Sequence, residues 1–559
     1  MIFQEKNKIS EVAMNILRKR YFHVGESEWS QVVDRAINHV LIDADEEQRS
    51  LTYEMMLNRY FIPNSPCLVN SGKKDSGLSA CFVVDFPDSI EGIYKTKLDF
   101  ALIARKGGGC GTTLSKLRPE GDLVSGSTHG YAGGPIKFAD TISHDMSVIS
   151  QGGLRPMAIM FTMSVYHPDI IKFITAKEEE GRISNANISV VVDVAFMQKV
   201  ENDETYWTEF AGTQYKEYKA RDVFNLIVEG AWRNGEPGLL YKNRIDDSPY
   251  KYTGQEISAT NPCSEQPLPV NGVCNLGSLD LVKFMGDDDV IDLALFETAI
   301  RLSVQFLDKV VDKSTYPTEA ISEWVVKNRA IGLGIMGFAD YCLRREIAYG
   351  SDESLEELEF ILDFMDKISE DESISLGEEL GVPYYCKLLP IPRRNITITT
   401  IAPTGTISLL AGCSSGIEPI FSEIVIRNDK TGSYQFDNDL SHKDYFRCAV
   451  SANGATEVTW EEHIKVLATT QKHIQSGVSK TTNFPNHTHR ETIAKAFIQA
   501  WKSNCKGLAV YRNNSRKLEV LSPKAIKKNL CPVCKEETIH INNTTKCTKC
   551  LWSLDDQKV

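Results

Sequence analysis

No stretch of this 559-residue chain is apolar over the length a bilayer requires, so it is not expected to span a membrane. An apolar N-terminal leader is missing too: MIFQEKNKIS carries charges where a signal peptide needs a hydrophobic run, and the reducing cytoplasm is the expected compartment. Low-complexity tracts and internal repeats are also lacking. With 42% hydrophobic and 25% charged residues, most of the chain should be packed, either as one large core with extensions or as several ordinary domains. Positive charge is scarce: 62 Lys and Arg face 75 Asp and Glu, and a net charge of −13 argues against a surface built to neutralise nucleic-acid phosphates.

Fourteen cysteines are present, and in a reducing compartment they are not a disulfide scaffold. Most, such as Cys342, Cys386, Cys448 and Cys505, read as small buried hydrophobes. Residues 1–60 follow helical spacing, as in Trp29, Val32, Val33, Ala36, Ile37 and Val40, and plain packing accounts for this entry region. From about residue 61 to 521, short β-branched or aromatic runs (Ala80 to Val84, Ile188 to Val194, Asn395 to Ile401) alternate with helical patterns (Asp222 to Trp232, Leu293 to Val311), which predicts an α/β core with much parallel pairing. Glycine clusters at 106–122, 129–135 and 150–156 mark loops that bend sharply or approach something closely. A lysine-rich linker near 522–529 leads into a separate tail, 522–559.

Four constellations carry chemistry. In ATNPCSEQPLPVNGVCNLGSL (259–279), Cys263 lies between Asn261 and Glu265. The carboxylate suits a general base acting on a bound substrate, and the amide suits orientation of a hydroxyl. A neighbouring negative charge disfavours thiolate, so one-electron chemistry at sulfur fits this cysteine better than nucleophilic attack. On the pentapeptide alone, a Pro-terminated turn around a buried cysteine is the simpler account. Cys274 and the distant Cys81 are candidates for a redox pair that opens and closes during turnover, with two unrelated core cysteines as the alternative. The segment Pro403-Thr404-Gly405-Thr406-Ile407-Ser408 follows a strand-like run and offers hydroxyls and backbone N–H groups to a phosphate, without a Walker motif. In the tail, Cys531-Pro-Val-Cys534 and Cys547-Thr-Lys-Cys550 have the spacing of a four-thiolate zinc ribbon, with a mobile redox CxxC as the rival.

FIPNSPCLVNSG, LSACFVVDFPDSIEGIY, NPCSE with CNLGSLDL, NRAIGLGIMGFAD, TTIAPTGTISLLAGCSSGIEPIF, VSKTTNFPN and GLAVYRNNSR occur in order between residues 61 and 516, within a match that runs from about residue 8 to 550. Together they resemble ribonucleotide reductase, specifically the dimeric branch of the adenosylcobalamin-dependent class II large chain. That resemblance implies a ten-stranded α/β barrel with the radical cysteine on a central finger loop. It makes Cys263 the thiyl radical that removes the substrate's 3′ hydrogen, Glu265 the acceptor of the 3′-OH proton, and Asn261 a hydrogen-bonding partner of the ribose hydroxyls. Cys81 and Cys274 would end as a disulfide when the 2′-OH leaves as water. Substrate contacts implied by the match are Ser65, Ala80, Gly109 and Pro403 to Ser408. Asp88, Ser89 and Arg118 would form a site for dNTP or ATP specificity effectors at a homodimer interface, with the loop Gln151 to Ala158 relaying effector identity to the substrate base. Diphosphates are the expected substrates and a thioredoxin- or glutaredoxin-like protein the expected reductant.

Departures sharpen these expectations. Ser264 stands where class II chains usually carry Gly. Cys67 and Cys110 are extra thiols near the site and read as packing or loop residues. No ATP cone is expected, because the helical entry begins at once. Four zinc ligands would also leave no tail thiol to reduce Cys81 and Cys274. A class I large subunit would need a tyrosine path to a radical-generating partner, but no tyrosine follows Tyr511. A class III enzyme needs a C-terminal glycine radical, and no glycine follows Gly507. A zinc-ribbon nucleic-acid-binding protein would explain the basic tail but not the acidic remainder.

Overall fold

The computed structural model describes residues 2–124, 129–151, 155–178, 181–429, 432–437, 444–451, 456–516, 521–523, 538–541, 544–547 and 553–555. Three helices open the chain, Glu11–Ile16, Trp29–Val40 and Glu46–Leu57, and the second buries Trp29, Val32, Val33, Ala36, Ile37 and Val40 along one stripe. That stripe is the apolar spacing of the sequence turned toward the core.

A ten-stranded sheet follows. Its strands are β1 (Phe61–Pro63), β2 (Cys81–Val83), β3 (Gly109–Thr113), β4 (Ile159–Ser164), β5 (Ala186–Val192), β6 (Gly238–Tyr241), β7 (Val273–Asp280), β8 (Ile331–Met336), β9 (Thr481–Phe484) and β10 (Gly507–Arg512). From β2 to β6 each strand runs parallel to the next. Parallel neighbours need crossover connections, and helices Ile90–Lys106, Pro135–Val148, Ile170–Ile174 and Ala220–Asn234 supply them. β7 and β8 are parallel, as are β9 and β10, and this second group meets the first antiparallel at β7–β2 and β6–β10. β1 is an antiparallel neighbour of β7.

The run Asn395 to Ile401, expected as a strand, lies extended beside β8 without a continuous ladder of its own. Ile331 N donates to Thr397 O (3.0 Å), Leu333 N to Ile398 O (2.7 Å) and Thr400 N to Leu333 O (2.9 Å). On its other side, Ser476 N donates to Thr399 O (3.1 Å) and Ser479 N to Ile401 O (2.9 Å), just before β9 begins. These bonds join the two ends of the sheet into a barrel. β7 is buried along its whole length, as a strand covered on both faces must be. Among the described residues, no helix is long and apolar enough to cross a membrane.

Candidate active site

A hairpin enters the barrel ahead of β7. Strand Ile257–Thr260 pairs antiparallel with Pro267–Pro269, and the tip between them carries Asn261, Cys263 and Glu265. The tip is closed by Asn261 N donating to Gln266 O (3.1 Å) and Ser264 N to Asn261 O (3.0 Å), while Asn261 Oδ1 accepts from Gln266 N at 2.9 Å. It is gripped from both halves of the barrel. On the β3 side, a Cβ at Gly111 would lie 1.7 Å from Thr260 O, and one at Gly109 would lie 3.0 Å from Pro262 Cγ, so this glycine cluster is the close approach its composition signalled. Opposite, Gly477 N donates to Glu265 O (2.7 Å), and Thr400 Oγ1 donates to the same oxygen (2.9 Å). Ser264 has φ of +66°, the left-handed region that suits glycine, which accounts for the residue expected there by family resemblance.

β7 and β2 set Cys274 directly opposite Cys81. Opposed Cα atoms in an antiparallel pair sit about 4.5–5.5 Å apart, within the span of a disulfide. Both thiols are buried, and with Leu276 and Ala402 they form a small cluster apart from the main core, against which Ala80 packs. This cluster therefore brings together Ala80, Cys81, Cys274 and the start of the Pro403–Ser408 segment. Cys81 Sγ accepts from Asn261 Nδ2 at 3.1 Å and donates to Glu265 Oε1 at 3.8 Å. Cys274 Sγ donates to Asn275 O at 3.3 Å.

Burial sets the protonation of all three groups. It pushes the Glu265 carboxyl up from 4.5 to about 7, and Glu265 Oε2 has no hydrogen-bond partner among the described residues. Both thiols are driven well above their ordinary value, by burial first and by the Glu265 carboxylate second. Cys263, by contrast, is exposed and faces a cavity of about 940 Å³, lined in part by Asn187, Ser189, Gly238, Ser408 and Thr481. No disulfide joins any of the described cysteines, and Cys67 and Cys110 are buried core residues.

The phosphate-cradle segment is a turn into the short helix Ile407–Ala411, with Thr404 at φ of +51°. Thr404 Oγ1 accepts from Gly416 N (2.8 Å), and the Ser408 and Ser415 hydroxyls lie 3.0 Å apart. Ser65 is half-buried at the start of helix Ser65–Asn70, with its hydroxyl 2.7 Å from Tyr21 Oη. Contacts from the N-terminal helical region were not foreseen, because helical spacing there pointed only to packing. The consecutive cations of Arg18-Lys19-Arg20 were the signal available.

Asp88, Ser89 and Arg118 lie together. Asp88 Oδ2 accepts from Arg118 Nε at 2.8 Å, and Ser89 Oγ accepts from Gly92 N at 3.0 Å to cap helix Ile90–Lys106. That helix exposes Ile90 (62%), Tyr94 (62%) and Leu98 (57%) at four-residue spacing. Of the loop Gln151 to Ala158, residues 152–154 lie outside the described residues, while Ala158 O accepts from Cys110 N at 3.1 Å, next to Gly109. Cys531, Cys534 and Cys550 also lie outside them; Cys547 ends strand Thr544–Cys547, and its side chain is not described.

A barrel that grips a thiol-tipped loop, with a carboxyl and two facing thiols behind the tip, is an arrangement suited to thiol redox chemistry. Residues 79–386, 392–444 and 437–511 match the family model for the ribonucleotide reductase barrel domain. A vitamin B12-dependent ribonucleoside-diphosphate reductase of Thermoplasma acidophilum is 39% identical over 508 residues, which cover 84% of this chain and 66% of that protein. Its namesake in Mycobacterium tuberculosis is 33% identical over 571 residues, covering 94% of this chain and 82% of that one. A vitamin B12-dependent ribonucleotide reductase of Rhodopirellula baltica is 28% identical over 563 residues, covering 80% and 53%. The chain belongs to the ribonucleotide reductase family.

Proposed function

We propose that the chain reduces ribonucleoside diphosphates to 2′-deoxyribonucleotides with adenosylcobalamin, by radical chemistry at Cys263. One observation carries this reading: the exposed thiol at the loop tip faces a large cavity, while behind it the Cys81/Cys274 pair is held in the protonated form and the Glu265 carboxyl is raised to about 7, where it can take up and release a proton. The cavity suits the adenosyl end of the cofactor. Its lining includes the polar side chains of Asn187, Ser189 and Thr481, and a Cβ at Gly238 would already lie 3.1 Å from Ser189 Oγ. Asn187, Ser189 and Thr481 would hold that end. When bound, the cofactor supplies the radical that takes the hydrogen atom of Cys263 Sγ.

The chain's own residues do the rest. Cys263 removes the 3′ hydrogen while Glu265 takes the 3′-OH proton and Asn261 orients the ribose hydroxyls. The 2′-OH leaves as water, Cys81 and Cys274 give up two electrons and two protons, and they end joined as a disulfide. Cys263 then returns its hydrogen to C3′. Ser65, Ala80, Gly109 and Pro403 to Ser408 hold the substrate. A thioredoxin- or glutaredoxin-like protein reopens the disulfide, in keeping with a cytoplasmic setting.

Homodimer formation is supported by the exposed Ile90, Tyr94 and Leu98 stripe on the helix that Ser89 caps. Asp88, Ser89 and Arg118 at its base form the specificity-effector site. The contact of Ala158 with Cys110 supports the route from that site to the substrate loop.

The test is turnover of a ribonucleoside diphosphate by the purified chain with adenosylcobalamin and a dithiol, without a second subunit. A deoxyribonucleotide product is expected, and its absence would overturn the proposal.

A further inference from the structure

Two neighbouring residues of the N-terminal region reach separate parts of the substrate site. Leu17–Tyr21 forms a π-turn, closed by Phe22 N donating to Leu17 O at 3.0 Å. Such turns change which residues share a helix face and recur at functional sites. Here Arg20 Nη1 donates to Thr406 Oγ1 (3.4 Å), and the Tyr21 and Ser65 hydroxyls lie 2.7 Å apart. The turn is anchored from behind, since Arg35 Nη2 donates to Tyr21 O (3.0 Å) while Arg35 also pairs with Glu26.

The cradle leaves a defined place for an anion. The Thr404 hydroxyl accepts from Gly416 N, and the Ser408 hydroxyl is engaged with Ser415, so both belong to the loop's own bonding. Thr406 instead meets the guanidinium. At Gly405, between the two threonines, a Cβ would meet nothing within 4 Å, so there is open space beside the Arg20 to Thr406 contact. A guanidinium offers forked donors and a permanent charge, the match for a phosphate oxygen pair.

We propose that Arg20 is a substrate-binding residue that holds the terminal phosphate of the ribonucleoside diphosphate. The inference rests on the proposed function and adds to it a residue from the region read as packing. Tyr21 acts as a positioning residue, holding the Ser65 hydroxyl toward the same nucleotide.

The test uses the full chain with adenosylcobalamin and dithiothreitol, cytidine diphosphate as substrate and inorganic pyrophosphate as competitor. Loss of one charge-assisted contact in R20Q should raise KM for the diphosphate, and the inhibition constant of pyrophosphate, roughly tenfold to hundredfold. The turnover number should hold within about threefold, because no reacting atom is touched. R20K keeps the charge without the fork and should recover part of the loss. Thermal melts of both variants separate binding from folding. If the wild-type chain makes no deoxycytidine diphosphate, the proposed function fails. If the wild type is active and R20Q has an unchanged KM, or loses turnover number and melting temperature instead, the assignment of Arg20 alone is overturned.

Discussion

Replacing Glu265 by Gln separates the cost of burying its charge from its use. Burial moves this carboxyl from 4.5 to about 7. Over the full range, that shift corresponds to about 3 kcal/mol. The sign follows from proton binding. Between those two values the folded chain keeps a proton that the unfolded chain has released. Stability from this group is therefore fully present below 4.5 and is lost as pH rises through about 7. Glutamine has no proton to lose, so the wild type should lose about 3 kcal/mol relative to E265Q between pH 4.5 and 8. Urea unfolding of both proteins across that range, taken as a difference, cancels every other titrating group. Parallel curves within about 0.5 kcal/mol would refute the claim that Glu265 is buried with an uncompensated oxygen. The same variant should lose about 10²- to 10⁴-fold in turnover, and wild-type turnover should climb with pH through about 7, as the base loses its proton.

Cys263→Ser should fold normally, since the side chain is exposed, and deoxyribonucleotide formation followed by chromatography should fall to background. Wild-type protein run with substrate and cofactor but no reductant should lose two thiols and yield a peptide linking Cys81 to Cys274. Mass spectrometry of Cys274→Ser should find Cys81 unlinked to any other cysteine, because strand register sets no other thiol opposite it. Ser264→Gly should raise unfolding free energy by about 0.5 to 1 kcal/mol, the left-handed strain relieved less the added entropy of glycine, as read by urea denaturation.

Local chemistry was legible in the sequence wherever it is set by local pattern. Ile188 to Val194 reads as a strand and overlaps β5 (Ala186–Val192), and Asp222 to Trp232 falls inside helix Ala220–Asn234. Asn395 to Ile401 is β-branched enough to be extended, but its partners on both sides are short irregular contacts, which a run of side chains does not encode. The glycines at 109 and 111 announced a close approach without saying to what; Pro262 and Thr260 O, some 150 residues on, supply the answer. Cys81 and Cys274 could be nominated as redox thiols but not paired, because their register is fixed by how β7 meets β2 across the barrel. Arg20 was hidden for the same reason: its role depends on Thr406, almost four hundred positions away.

The placement of charge at the loop tip argues for the order of events in turnover. A thiolate at Cys81 or Cys274 would repel the Glu265 carboxylate, and burial already opposes all three charges, so the resting site holds protons on both thiols. Glu265, with its value near neutrality, is the group among them whose proton moves most readily at pH 7. Its Oε1 lies 3.8 Å from Cys81 Sγ, so the carboxyl stands beside that thiol. On the proposed function, a Glu265 that had accepted the 3′-OH proton would be neutral, and the penalty its charge imposes on a neighbouring thiolate would disappear. The first proton transfer would on that reading ease deprotonation of Cys81 and Cys274, the step that precedes their joining as a disulfide.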